Sequence, residues 1–531
     1  MIISATSHNN RFVLARKMFH AGPEMNRART RNGNGSNGHS HRAQEKAAPA
    51  PVVASPSGEK ENFVKFQTAE GVELRGAVSR VTRHNAVFEL YNPDITPRSS
   101  EALDPFSIVM QSRAVYSGRA VVSKVLHAGT HEAVEVTLEE TGWTNLNFGL
   151  LFKQEGQVAR EFRNFLRDWQ KNYILSPEFK VVVADMEMFL HDLRLWLDQL
   201  ELGIRSFQQP LRSALEKEAV DCLSKPVTQS IDAFIDRFES IVSRLDAEAH
   251  PQHYAHLRRQ LHPFLLSSPF AHRAFSKPLG YAGDYQVVDM MIRPPFEGAS
   301  LFAKIINVWL LGQSPAQAHR NRVDYLERKL IEETMRAKAA GRTIRILNLG
   351  CGPAEEVQRF FGKQDISRHA TLTLVDFNEE TLRHLQDKLD NIKKDVARPM
   401  SFRLIKKSVF QILKDGGHCL HPAPEEPYDY IYCAGLFDYL SDGVCKQFQN
   451  ICYDMLAPGG LLLATNATDA LNSTRPFRYS MEYLLDWHLI YRDKAHFAAV
   501  APDLADADKI AVIAENTGAN LFLEVRKQED A

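Results

Sequence analysis

From residue 343 to the C-terminus, apolar runs of five or six residues alternate with amphipathic stretches, an order that leaves few folds open. The runs cover residues 344–349, 371–376, 401–405, 428–433 and 460–465, and helical segments begin near Glu355, Glu379 and Asp442. Parallel neighbours need a crossover long enough to hold a helix, so this order predicts a doubly wound α/β sheet. Two last apolar runs, 509–514 and 521–525, flank Glu515-Asn-Thr-Gly-Ala-Asn520 and predict a terminal antiparallel hairpin.

The first run leads into Asn348-Leu-Gly-Cys-Gly-Pro-Ala354. Glycines there allow a tight turn and a close backbone approach, and the helix opening at Glu355 presents free N–H groups. The second run ends in Asp376, 26 residues after Gly350, where a carboxylate can accept from two ribose hydroxyls. With the later Ala457-Pro-Gly-Gly460 turn and the hairpin, this order predicts a nucleoside-binding crevice at the carboxyl ends of the strands.

These motifs resemble the class I S-adenosylmethionine-dependent methyltransferases, which have an acidic residue and Gly-x-Gly in the first motif, an acidic end to the second strand, and an added antiparallel strand. Here the first-motif acid is Asn348 and the third glycine is Ala354. The resemblance implies S-adenosyl-L-methionine as cofactor, held by Asn348, Gly350, Cys351, Gly352 and Asp376. It also implies Phe377 beside the adenosine, Ser408, Val409 and Phe410 near the adenine, and Cys433 and Ala434 under the sulfonium. A pyrophosphate cofactor would want the third glycine, so a nicotinamide dehydrogenase is the lesser reading.

Ser268-Pro-Phe-Ala-His-Arg273, Lys277-Pro-Leu-Gly-Tyr-Ala-Gly-Asp-Tyr285, Ala318-His-Arg-Asn-Arg322, Cys433-Ala-Gly-Leu-Phe-Asp-Tyr-Leu440 and the 481–492 stretch resemble a bacterial branch of these enzymes, over about residues 258 to 500. That branch is described as making the methyl ester of 3-hydroxypalmitic acid, an extracellular signalling factor. The resemblance implies O-methylation of a small or lipid-like acid. Gly280–Tyr285 reads as a conformable polar loop, suited to a lid. Trp487, Tyr491 and Arg492, at i, i+4 and i+5, are expected near one side of a helix. Tyr281, Asp284 and Arg492 are therefore the candidate catalytic residues, with Arg273 a further group to orient a carboxylate. A carboxylate acceptor needs no general base, whereas an alcohol would need one, from Asp284 or His272. The alternative is a non-catalytic sensor responding to S-adenosylmethionine or a cyclic dinucleotide.

A chain of 531 residues is too long for one core, and the N-terminal half divides by composition. Residues 1–61, rich in Asn, Gly, Ser, Ala and Pro, read as a disordered tail whose Arg27, Arg29 and Arg31 could touch phosphate or anionic lipid. Residues 62–148 show short period-two runs and predict a small antiparallel barrel. The barrel resembles a PilZ-type domain, but the Arg-x-x-x-Arg arm is not recognisable and the turn reads Ser79-Arg-Val-Thr-Arg-His-Asn-Ala86. Weak or absent binding of cyclic di-GMP is the expectation, despite Arg75, Arg80 and Arg83.

Residues 149–257 read as helical. Ser176-Pro-Glu178 forms an N-terminal signal, and Phe179, Val182, Met186, Phe189, Leu193, Trp196 and Leu200 recur at three- and four-residue spacing. A second stripe runs from Val227 through Ile231, Phe234, Phe238 and Ile241 to Leu245. The two predict a helical hairpin, or a homodimer through residues 176–250. His250, His253, His256 and His262 have no cysteine or carboxylate set beside them, so surface or capping roles are expected and no metal site.

The expected architecture is multidomain: barrel, helical middle, and a Rossmann-like α/β domain over 258–531 that includes the lid segment. A formal charge of −1 and a pI near 7.1 remove the main argument for nucleic-acid binding. No run approaches the roughly 20 apolar residues of a transmembrane helix. Six cysteines without a Cys-x-x-Cys pair suit a reducing cytosol, and no secretory signal is recognised.

Overall fold

A computed structural model describes residues 62–529 apart from 69–70, 92–95, 111–112, 128–130, 145–158, 161, 168–173, 397, 421–425 and 469–476. The expected tail, 1–61, lies outside the described residues. Strands β1 (Phe63–Gln67), β2 (Glu73–Val81), β3 (Asn85–Tyr91), β4 (Ala102–Met110), β5 (Arg113–His127) and β6 (His131–Leu138) close a barrel in the order β1-β2-β3-β6-β5-β4. Every neighbouring pair is antiparallel. Side chains alternate in and out along a strand, so Ala86, Phe88 and Leu90 of β3 point into the core. There Phe88 stands 5.2 Å from Phe66 and 5.9 Å from Phe106.

Among the described residues, helices α1 (Pro177–Arg205), α2 (Leu211–Val242), α3 (His250–Leu265), α4 (Pro269–Ser276), α5 (Tyr285–Ile292), α6 (Leu301–Leu311) and α7 (Ser314–Ala339) lead from the barrel to the sheet. The expected N-cap holds: the Ser176 hydroxyl accepts from the Phe179 N–H and Pro177 opens the helix. The stripe from Phe179 to Ile204 buries against Ile231, Ile235 and Phe238 of α2, so the hairpin forms within one chain.

The α/β unit then runs β7 (Ile344–Leu349), α8 (Glu355–Lys363), β8 (Ala370–Asp376), α9 (Glu379–Asp395), β9 (Ser401–Lys406), α10 (Val409–Asp415), β10 (Tyr428–Cys433), α11 (Asp442–Asp454), β11 (Leu456–Ala467), α12 (Arg478–Leu485), α13 (Lys494–Ala499), β12 (Ile510–Ala514) and β13 (Asn520–Arg526). The sheet order is β12-β13-β11-β10-β7-β8-β9, with β13 antiparallel to both β11 and β12, as the terminal hairpin required. Strand order reverses at β7, between β8 and β10, which opens a crevice at the carboxyl ends of these strands.

The boundary expected at residue 257 falls inside α3, and one apolar core crosses it. Phe179, Phe238, Leu261 and Phe302 share that core with Tyr483 and Leu484 of α12. Buried Glu239 of α2 seals the junction by accepting from the Tyr479 and Ser480 N–H groups at the start of α12. Helix α12 ends at Leu485, because Asp486 turns left-handed (φ 52°) and binds Arg258 at 2.9 Å and Lys277 at 2.5 Å. The expectation that Trp487, Tyr491 and Arg492 share a helix face is therefore corrected: residues 486–493 are not helical.

The histidines of α3 fasten helices together. His253 accepts from the Ser176 N–H and donates to the Ala249 carbonyl, His250 bonds the Tyr483 hydroxyl at 2.7 Å, and His262 donates to the Leu484 carbonyl. Burial lowers the pKa of His250, His253 and His256, and pushes His262 down to about 3. Below pH 6.5 the unfolded chain takes up these protons and the folded chain does not, so stability should fall as pH drops from 6.5 toward 3. Urea unfolding across that range should show the decline, and His262→Gln should flatten its slope by up to about 1.4 kcal/mol per pH unit.

Candidate active site

The crevice is built from the turn after β7. Gly350, Gly352 and Ala354 have φ of 66°, 54° and 48°, a left-handed conformation that costs Ala354 about 1 to 2 kcal/mol. A Cβ on Gly352 would meet no protein atom within 4 Å, so the bare backbone faces open space. The turn is tied to β8: the Cys351 N–H donates to the Val375 carbonyl and the Gly352 N–H to Asp376 Oδ2 at 3.0 Å. The other carboxylate oxygen of Asp376 accepts from the Asn378 N–H at 2.9 Å. Burial raises the Asp376 pKa, and its backbone hydrogen bonds pull it partly back.

Asn348, at the expected acidic position, is buried and donates to Glu356 Oε1 at 3.2 Å and to the Tyr432 hydroxyl at 2.9 Å. The Tyr432 hydroxyl in turn donates to Glu356. The carboxylate missing from position 348 therefore stands beside it, supplied by the first turn of α8. Burial raises the Glu356 pKa, opposed by the Tyr432 bond and the charge of Arg322.

Arg322 of α7 reaches the same place. Its guanidinium bonds His319 Nδ1 at 2.8 Å and lies so close to Gly435, after β10, that a Cβ there would stand 2.9 Å from Nη1. Asp438 and Glu356 act on it by charge, yet among the described residues no carboxylate is within ion-pair distance. A half-buried cation with one hydrogen-bond partner among the described residues suits an anionic ligand group. Sequence reasoning missed both residues: Arg322 and Glu356 lie on helices, and only tertiary folding aims them at the strand ends.

The crevice opens into a cavity of about 490 Å³. One side carries Gly350, Cys351, Gly352, Asp376, Phe377 and Ala434. The other is walled by apolar side chains, among them Val288, Met291, Leu310, Met481 and Leu485 from helices and Trp487 from the segment after α12. Tyr281 lies between them, its ring 5.6 Å from that of Phe377, with its pKa raised by burial and by Asp376 and Asp284. Gly283 packs the loop on Trp487, whose indole N–H donates to the Tyr439 hydroxyl at 2.9 Å.

Several expected site residues lie elsewhere. Arg492 is 2% exposed and is consumed by Asp442, Asn466 and the carbonyls of Phe437 and Leu440, which makes it a brace beneath the strand ends. Asp284 is fully buried, capping α5 through the Gln286 and Val287 N–H groups and pairing with Arg273 at 2.9 Å. Cys433 sinks into the core with Cys445 and Cys452, and Ala434 and Gly435 line the cavity instead. Ser408 caps α10 and Val409 packs on the core, so neither lines the cavity; Phe410 is exposed.

Residues 320–523 match the family model described as a methyltransferase domain. Solved structures of similar shape include a possible exported protein from Bordetella parapertussis, with 14% identity, a TM-score of 0.36, and coverage of 61% of this chain and 100% of that one. Magnesium protoporphyrin IX methyltransferase from Synechocystis PCC 6803, with bound SAH, gives 11%, 0.28, 40% and 84% in the same order. The N-methyltransferase NodS from Bradyrhizobium japonicum, in complex with S-adenosyl-L-homocysteine, gives 15%, 0.27, 46% and 98%. No curated protein matches the sequence. The glycine turn, Asp376 and Arg322 fit the nucleoside and amino-acid ends of S-adenosyl-L-methionine. The protein is an S-adenosyl-L-methionine-dependent methyltransferase.

Proposed function

We propose that this methyltransferase esterifies the carboxylate of an acid with an apolar, lipid-like body. Asp376 receives the ribose, Arg322 the methionyl carboxylate and Glu356 the ammonium, while Phe377 flanks the adenosine. When bound, S-adenosyl-L-methionine supplies an activated methyl group that passes to the attacking oxygen as the carbon–sulfur bond breaks, leaving the neutral thioether. The protein has to place that oxygen in line, so positioning supplies most of the catalysis.

The observation that carries the proposal is the pairing of an apolar chamber with engaged acids. Asp284 of the lid loop and Asp438 of the cavity lining already accept from backbone N–H groups: Asp438 takes the Ala467 N–H at 2.6 Å. The Nδ1 of His319 is occupied by Arg322, which leaves its Nε2 as a donor. An acceptor that arrives ionised suits this lining better than an alcohol that must lose a proton. Tyr281 is assigned to orienting the acceptor from the 277–284 loop.

The barrel is assigned to contacts rather than to cyclic di-GMP. Its Arg75 guanidinium lies 3.7 Å over the Phe63 ring, and its Tyr91 packs against the helical core. The full chain, given methyl-labelled S-adenosyl-L-methionine and 3-hydroxy acids of graded length, should produce extractable label that mild alkali releases as methanol. Alkali-stable label, or no transfer to any acid, would refute carboxyl esterification.

A further inference from the structure

Helix α1 carries two apolar stripes, and only one of them is used inside the chain. The inner stripe, with Phe179, Val182, Met186, Leu190 and Leu197, is buried against α2, α3 and α6. On the opposite side Val181, Met188, Leu195 and Leu202 are 52%, 63%, 54% and 71% exposed. Their spacing is seven residues throughout. A straight α-helix drifts by about 20° per heptad, so such a stripe stays aligned only against another helix that coils around it.

We propose that this outer stripe is a docking surface for a second copy of the chain, paired antiparallel about a two-fold axis between His191 and Asp192. The evenly spaced stripe reads the same from either end, so Val181 meets Leu202 of the second copy and Met188 meets its Leu195. A self-complementary patch of this kind gives a closed isologous dimer. The four stripe residues, each more than half exposed, with exposed Trp196 on the same helix, supply an apolar centre for an interface whose usual share is roughly 800 Å² per partner.

Its flanks argue against a lipid surface. Helix α1 holds six acidic and three basic residues, whereas helices that lie on anionic bilayers are rich in Lys and Arg on the polar face. Asp185, at the edge of the stripe, is held by Arg237 at 3.1 Å and supplies the polar rim expected of an interface.

Sedimentation of the full chain at micromolar concentration should give twice the 60.1 kDa of one copy. Met188→Glu with Leu195→Glu, both at exposed positions, should halve that mass without changing the far-ultraviolet circular dichroism. His191→Cys, in a background where exposed Cys222 is serine, should form an interchain disulfide on oxidation, and Val181→Cys should not. A monomer at tens of micromolar, a dimer that survives the double substitution, or binding of the stripe to phosphatidylglycerol vesicles would each overturn the proposal. Cross-linking through Val181→Cys in place of His191→Cys would overturn the antiparallel arrangement.

Discussion

Asp376→Ala should weaken binding of S-adenosyl-L-homocysteine by roughly ten- to a hundredfold, the range of about 1.5 to 3 kcal/mol for a hydrogen bond to a charged group. Two effects add: the ribose loses its acceptor, and the Gly352 N–H loses the oxygen that ties the glycine turn to β8. Asp376→Asn should rescue little. Both carboxylate oxygens accept backbone N–H bonds, from Gly352 and from Asn378, so an amide NH₂ would have to face one of these donors. Calorimetry on the folded variants decides it, and affinity within twofold of the parent would refute the assignment.

The second large effect is expected at Arg322. Replacement by Met should weaken S-adenosyl-L-homocysteine by more than tenfold while leaving 5′-methylthioadenosine, which lacks the amino-acid end, nearly unchanged. Arg322→Lys should recover only part of the loss, because an ammonium cannot reproduce the planar fork. Gly435→Ala approaches the same contact from the other side. Its Cβ would press on the guanidinium at 2.9 Å, and its backbone would sit at φ 85°, so the same ligand should weaken. Equal loss for both ligands in Arg322→Met would show that the arginine supports the fold of the crevice rather than the methionyl carboxylate.

What could be read from the sequence is what depends on local periodicity. The barrel strands alternate with period two, the sheet strands are bounded by turns, and Asp376 stands at the end of its strand whatever surrounds it. The Gly350–Gly352 turn is legible for the same reason, since the chain conformation there excludes most side chains. Arg322 and Glu356 were not legible as ligand groups. Each sits in an ordinary helical context, and only the packing of α7 and α8 on the sheet brings both to the end of β7.

The misplacement of Arg492 has a related cause. Spacing alone carried α12 past residue 485, but Arg258 and Lys277 hold Asp486 in a left-handed turn from more than 200 residues away, and no local pattern reports that. Trp196 shows the limit of a single stripe. At 52% exposed it belongs to the outer face of α1 rather than to the inner set with which its spacing grouped it.

The continuity of the core through Tyr483 has a thermodynamic consequence. Met481 and Leu485 wall the cavity, while on the same short helix Tyr483 packs 5.3 Å from Phe238 and 6.2 Å from Phe179. Opening α1 or α2 uncovers Tyr483, and with it the helix that shapes the chamber. Ligand occupancy adds RT ln(1 + [L]/Kd) to the free energy of every opening that destroys the site, and such openings therefore include those of α1 and α2. The concentration of the methyl donor thus sets how rarely the helical half unfolds, and amide protons far from the crevice exchange more slowly as that concentration rises.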